Sequence, residues 1–135
     1  MPVVYSSEDT IETSEVIALY QANCWSAAER PGALMSGLRN AHSLVTARVA
    51  GRLVGLGNAI SDGHLVVYYP HLLVLPEFQG KGIGRGIMTQ LSKRYEGFHQ
   101  QMLIADGEAI GFYKRMGFER AGKTEPMWIY LGKEH

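Results

Sequence analysis

The spacing of apolar residues divides the chain into stretches of extended and of helical period. Residues 2–5 are mostly apolar and predict a short first strand, which Ser6, Ser7, Glu8 and Asp9 interrupt. Val16, Leu19, Tyr20 and Asn23 then recur at three- and four-residue steps and predict a helix over roughly 12–22, with Thr13 or Asp9 as its N-cap. Residues 24–28 read as a loop. Pro31 fits the first turn of a second helix, whose stripe is Leu34, Leu38 and Ala41 with Met35 beside it. Residues 43–49 and 53–60 have strand character and are joined by a tight turn at Gly51, and Ser61-Asp62-Gly63 forms the next turn. A long strand follows over 65–75, rich in Val, Tyr and Leu. Pro70 in its middle has no ladder donor and demands a bulge or a local parting of strands.

Beyond Pro76 the period changes. Ile83, Ile87, Leu91 and Tyr95 recur every four residues, so a helix is expected over 82–95, closed by Gly97. A short apolar strand at 102–105 completes a βαβ unit with parallel pairing and a right-handed crossover. A short helix over 108–116 ends at Gly117. Residues 118–121 and 127–131 predict a closing antiparallel hairpin, joined by the polar stretch 122–126. The pattern as a whole predicts one domain over 1–135 of the α+β class. Its sheet is mixed, mostly antiparallel and twisted, of about six or seven strands, with helices on both faces and one βαβ crossover.

Glycines stand at 80, 82, 84 and 86, at the start of the 82–95 helix. Each costs a helix about 1 kcal/mol against alanine. Close approach of a ligand to bare backbone N–H groups explains them, since a helix N-terminus suits phosphate, and Lys81 and Arg85 add positive charge. The Walker spacing G-x-x-x-x-G-K-[ST] is absent. G-x-G-x-x-G also fails, because Arg85 and Ile87 stand where glycine is required.

What remains is Gln79-x-x-Gly82-x-Gly84 directly after a strand, within the run L-x-V-L-P-E-F-Q-G-K-G-I-G. It resembles the acetyl-coenzyme A pyrophosphate loop of the GNAT superfamily of N-acetyltransferases. A second feature of that family lies downstream, Ala109-x-x-Phe112-Tyr113-x-x-x-Gly117-Phe118. The resemblance covers nearly the whole chain, residues 1–40 only in outline. It implies acetyl-CoA as acyl donor, with its pyrophosphate on Gln79, Gly80, Lys81, Gly82, Ile83, Gly84 and Arg85. The pantetheine arm would pair with the main chain of Leu73, Val74 and Leu75 where neighbouring strands splay, and Phe112 and Tyr113 would flank it. Tyr113 would assist the departing thiolate as a general acid, the alternative being a packed aromatic. His71, on the long strand, is the candidate general base, the alternative being a satisfied strand histidine. Asp62, His64 and Glu77 are weaker candidates and read as turn residues. Alternation leaves open whether His71 or Tyr68 faces the cleft. Trp25 and Tyr68 are candidate acceptor-site residues, Trp25 having core packing as its alternative. Asp106 departs from the Asn that many relatives carry there and reads as a cap of the helix that follows.

Thirteen basic and thirteen acidic residues balance to zero, so nothing in the charge argues for a broad nucleic-acid or membrane surface. The single Cys24 excludes an internal disulfide and fits a reducing compartment. The start of the chain lacks a secretory leader, and no apolar run approaches the ~20 residues of a membrane helix, so a cytoplasmic location is expected. The five histidines have no metal-ligand spacing, and no metal is expected. The resemblance implies an N-acetyltransferase that would move an acetyl group from acetyl-CoA to an amine of a small molecule or peptide, by direct attack in a ternary complex. Many relatives dimerise, so the resemblance carries the expectation of a homodimer. The alternatives are a non-catalytic acyl-CoA-binding or sensing module and an interaction protein that uses only the scaffold.

Overall fold

One long strand organises the sheet. The computed structural model describes residues 2–134. Its elements are β1 (Val3–Ser6), α1 (Thr13–Ala22), α2 (Pro31–Arg39), β2 (Ser43–Val49), β3 (Arg52–Ser61), β4 (Val66–Tyr68), β5 (Leu72–Val74), α3 (Ile83–Ser92), β6 (Gln100–Met102) and α4 (Ala109–Arg115). β1 pairs with β2 and β2 with β3, both antiparallel. β3 then divides its pairing. Gly55, Leu56 and Gly57 face Val74, Leu73 and Leu72 of β5, whereas Ile60 and Ser61 face Tyr68 and Val67 of β4. β6 runs parallel to β4 and ends the sheet, whose order is β1-β2-β3-β4-β6 with β5 beside β3. This is the expected α+β architecture, with six strands.

The glycines of β3 set the distance to α3. A Cβ on Gly55 or Gly57 would come within 2.9 Å of the Ile87 side chain, so α3 lies directly on the strand. Ile83, Ile87, Met88 and Leu91 form its buried stripe. Val54 and Leu56, alternating to the other face, are fully buried as well. Val16, Leu19 and Tyr20 of α1 are completely covered. Burial of such side chains contributes about 1.5–3 kcal/mol each.

Four expectations are corrected. The strand over 65–75 is two strands, because Pro70 withholds a ladder hydrogen bond and the chain leaves the sheet between Tyr68 and Leu72. The strand expected at 102–105 lies at Gln100–Met102, where β4 supplies the partner. The N-cap of α1 is Glu12, whose N–H donates to Glu15 Oε2 at 2.9 Å; Asp9 is held instead by Arg48 (2.6 Å) and Thr46 (2.7 Å), and Thr13 is already helical. Residues 118–121 and 127–131 form no strand. Phe118 is turned back by its N–H bond to Tyr113 O and packs on Tyr69 and Tyr113. At the far end Lys133 and Glu134 are tied to Ser26 and Glu29. The tail therefore leaves the sheet, and strand propensity finds no partner strand to satisfy it.

Candidate functional site

The site begins where β4 and β5 part. The Tyr69 N–H donates to Met102 O at 3.0 Å and stays with β6. Two residues on, His71 belongs to β3: its N–H donates to Asn58 Oδ1 at 3.0 Å and its carbonyl accepts the Asn58 N–H at 3.1 Å. Asn58 is buried and supplies through its side chain the pairing that the broken strand lacks. The break also settles the alternation that sequence left open, because Tyr68, Pro70 and His71 all line one cleft of about 1030 Å³ while Tyr69 turns inward.

The loop after β5 is held open at the start of α3. Gly80 and Gly82 have φ of 75° and 83°, backbone that favours glycine, and Gly82 is the N-cap. No side chain caps this end, and its first turn has no acidic residue. The first intrahelical bond runs from Gly86 N–H to Gly82 O, so the N–H groups of Ile83, Gly84 and Arg85 precede it at the positive end of the helix. Gln79 does not point at this end. Its Nε2 donates to Val74 O (2.9 Å) and Asn23 Oδ1 (3.2 Å), and Asn23 Nδ2 donates to the same carbonyl at 3.1 Å. Gln79 thus anchors the loop to β5 and α1, and the Val74 carbonyl is already doubly bonded. Leu73, Val74 and Leu75 have buried side chains, and the Leu75 N–H is taken by Val54 O at 2.7 Å. Lys81 Nζ lies 5.4 Å from the centre of the Phe78 ring.

Gly86 has a different cause from its neighbours. A Cβ there would run into the ring and hydroxyl of Tyr5 from β1, so this glycine serves strand-on-helix packing. A Cβ on Gly84 would meet Phe112 at 3.7 Å and Val74 at 3.9 Å, both ordinary contact distances. The first contact brings Phe112 of α4 beside the first turn of α3.

His71 is the centre of an aromatic cluster. Its Nδ1 lies 2.7 Å from the Tyr20 hydroxyl, and its ring meets Tyr20 and Trp25 edge-on, with centroids 5.4 and 5.2 Å away. Burial pushes its pKa down to about 4, so the imidazole is neutral at pH 7. Burial also drives the Tyr20 phenol far up, which keeps it a neutral hydrogen-bonding group. Trp25 lines the cleft as well as packing on the core. Tyr20, Asn23 and Asn58 were not singled out from sequence; in the first two the apolar stripe of α1 was legible, but the long-range bonds made by its polar atoms were not. Trp128, Tyr130 and Glu134 also line the cleft, Trp128 and Tyr130 stacking at 4.3 Å.

Tyr113 is part-buried between Phe112 (5.0 Å) and Phe118 (5.8 Å), and burial raises its hydroxyl pKa to about 12. The sequence-selected residues thus fall into a loop group with Phe112 and a cleft group of Trp25, Tyr68 and His71, with Tyr113 beside Phe112. Asp106 is not the cap expected of it: the N-cap of α4 is Glu108, while Asp106 accepts the Ala109 N–H through its carbonyl and lines the cleft. His64 and Asp62 belong to a turn, in which Asp62 Oδ1 accepts the N–H groups of His64, Leu65 and Val66. Among the described residues no helix is long and apolar enough to cross a membrane, and no group of three or more His, Cys, Asp or Glu could hold a metal ion.

Comparison with known proteins gives a consistent picture. The model of a family described as an acetyltransferase (GNAT) domain matches residues 12–126. An uncharacterised N-acetyltransferase of Gracilaria tenuistipitata var. liui is 37% identical over 68 residues, covering 49% of this chain and 37% of that protein. The match therefore spans well under half of that relative's length. A solved GNAT family acetyltransferase from Streptococcus pneumoniae TIGR4 superposes with a TM-score of 0.83 at 27% identity, over 96% of this chain and 99% of the other. A probable acetyltransferase from meticillin-resistant Staphylococcus aureus does so with a TM-score of 0.80 at 28% identity, over 96% and 100%.

Proposed function

The chain belongs to the GNAT acetyltransferase family, and from that premise we propose that it transfers an acetyl group from acetyl-CoA to the amine of a small molecule or peptide, within a ternary complex and in a reducing compartment such as the cytoplasm. The observation that carries this reading is the uncapped N-terminus of α3, entered through a left-handed Gly82 directly after β5. The pyrophosphate binds the N–H groups of Ile83, Gly84 and Arg85, with Lys81 and Arg85 supplying charge. The pantetheine arm lies beside β5, in the gap where that strand parts from the chain that follows the parallel strand β6. Gln79 acts on the loop by fixing it to Val74 and Asn23 rather than by touching phosphate.

Chemistry occurs where the gap meets the cleft. The amine nitrogen attacks the thioester carbonyl carbon, a C–N bond forms, and the C–S bond breaks as the tetrahedral adduct collapses. The nitrogen loses its proton to His71. This requires the tautomer in which Nδ1–H donates to the Tyr20 oxygen and Nε2 holds the lone pair. The neutral imidazole is ready to accept at pH 7, though its low pKa makes it a weak base. Tyr113, fully protonated at that pH, donates to the thiolate sulfur as charge develops.

The weak basicity of His71 is what favours the second reading, an acyl-CoA-binding module without turnover. Release of free thiol from acetyl-CoA across a panel of amines separates the two. Amine-dependent release supports the transferase; tight CoA binding with no release from any amine supports the sensor; no binding of CoA removes both.

A further inference from the structure

β2 is covered on its outer side along only part of its length. β1 pairs with it from Val3↔Val49 to Ser6↔Thr46, and there the chain turns away, the Glu8 N–H donating to Ser6 Oγ at 3.2 Å. The turn leaves Ser43, Leu44 and Val45 lining a groove of about 630 Å³ at the C-terminal end of α3, the opposite end from the Gly82 loop. Leu44 stands across from Asn58, whose N–H goes to His71 O on the β5 side. In an antiparallel pair that orientation turns the main-chain groups of Leu44 away from β3, so its N–H and carbonyl point into the groove. Among the described residues none pairs with them there.

The groove has a cationic wall on each face of the sheet. Val45 is on the α3 face, because it stands opposite Gly57, on which Ile87 packs. Leu44 shares the other face with Thr46 and Arg48, which reach Asp9 and Glu15 at the start of α1. α2, packed on α1, lines the groove from this second face with Leu38 and Arg39. The end of α3 and the turn after it line the groove from the first face with Leu91, Lys93 and Arg94. Arg94 is fixed in position, its Nη1 donating to His42 O (2.7 Å) and Ser43 Oγ (3.1 Å). The ion pairs among the described residues use none of Arg39, Lys93 and Arg94. Of the two acids at the mouth, Asp9 is neutralised by Arg48 at 2.6 Å, which leaves Glu8 against three cations.

We propose that this groove binds an extended acidic peptide segment of another protein, added as a short strand to β2 beyond the end of β1. Leu44 exchanges main-chain hydrogen bonds with one residue of that segment. Successive side chains of a strand point to opposite faces, so two adjacent acidic residues meet Arg39 on one wall and Lys93 with Arg94 on the other. One main-chain pair is a small contact, so charge supplies much of the affinity and the interaction is weak and salt-sensitive. The groove lies apart from the acetyl-transfer cleft, and the proposal does not depend on that reading.

Fluorescence anisotropy of a labelled acetyl-Val-Thr-Asp-Glu-Val-Thr-amide peptide, titrated with the full chain to roughly 1 mM, tests it, with a dissociation constant below ~100 μM expected at low salt. Arg39→Glu and Lys93→Glu should each weaken binding at least ~10-fold. Both side chains are exposed, and circular dichroism checks that the variants are folded. Two further peptides use the unaltered protein. One carries Lys-Lys in place of Asp-Glu; the other keeps the charges but is N-methylated at Asp and Glu, which removes the main-chain donors. Each should bind at least ~10-fold more weakly than the parent peptide. No binding of the parent peptide at the top of the range overturns the proposal. So does binding indifferent to charge reversal in folded variants, or binding that N-methylation leaves unchanged, which would mean adsorption to surface charge without strand addition.

Discussion

The Tyr20 hydroxyl lies 2.7 Å from Nδ1 of His71, and it joins the first helix to the point where the sheet divides. The bond sits in a site where burial holds His71 near pKa 4. The unfolded chain takes up a proton near pH 6.5, whereas the folded chain resists it until about 4. The contribution of neutral His71 to stability is therefore complete above pH 6.5 and is lost as pH falls through the folded value.

Between pH 7 and 5, unfolding free energy should fall by about 2 kcal/mol on account of His71. Asp9 and Glu15, both held below their ordinary values, lose their share at lower pH and do not confuse this window. Urea titrations at both pH values, on the parent and on His71→Asn, provide the measurement. The variant should show a flatter dependence; parallel curves would mean that His71 is protonated freely in the folded state.

Gly84 and Gly86 should respond oppositely. Gly84→Val places its Cβ at ordinary contact distance from Phe112 and Val74; it should abolish CoA binding in calorimetry, with circular dichroism checking that the variant is folded. Gly86→Ala collides with Tyr5 and should cost about 1–3 kcal/mol of stability, with CoA affinity of the folded fraction unchanged. Gly82 is a poorer test, because its φ of 83° strains any side chain whether or not a ligand is present.

Lys81→Ala should weaken CoA binding by no more than ~1–2 kcal/mol, since main-chain donors and the helix dipole remain. The ammonium also leaves its position over Phe78, an exposed contact of small value. Complete loss of binding would mean that the lysine charge holds the pyrophosphate and that the open helix end contributes little.

Tyr113→Phe should lower kcat at least ~10²-fold while CoA affinity stays near that of the parent. The ring keeps its edge contacts with Phe112 and Phe118, so the melting temperature should hardly move. Turnover within a few-fold of the parent, with chemistry rate-limiting, would leave water as the proton donor.

The fold was legible wherever a local pattern meets a local constraint. The βαβ crossover, the glycine-started α3 and the break at Pro70 follow from periods of four and two and from a missing donor. The tail at 127–131 was not legible as it stands, because its alternation is that of a strand and pairing depends on what lies alongside. The four glycines read alike in sequence, yet Gly86 answers to Tyr5, at the opposite end of the chain's first half. In the cleft, His71 was found from its place on the strand. Tyr20 and Asn58, which hold it, were hidden because a buried polar atom's partner is a property of the folded chain.

Asn58 spans the gap left by Pro70 with both its main chain and its side chain. A sheet parted in this way has no broken ladder waiting to close. An extended molecule entering between β5 and the chain that follows β6 would displace water, not strands, and little of its binding energy would be diverted to deforming the receptor. Backbone amide exchange in β4 and β5 should accordingly be nearly as slow in the empty protein as in the filled one, with the ordering confined to the loop at Gly80–Gly82 and to whatever is bound.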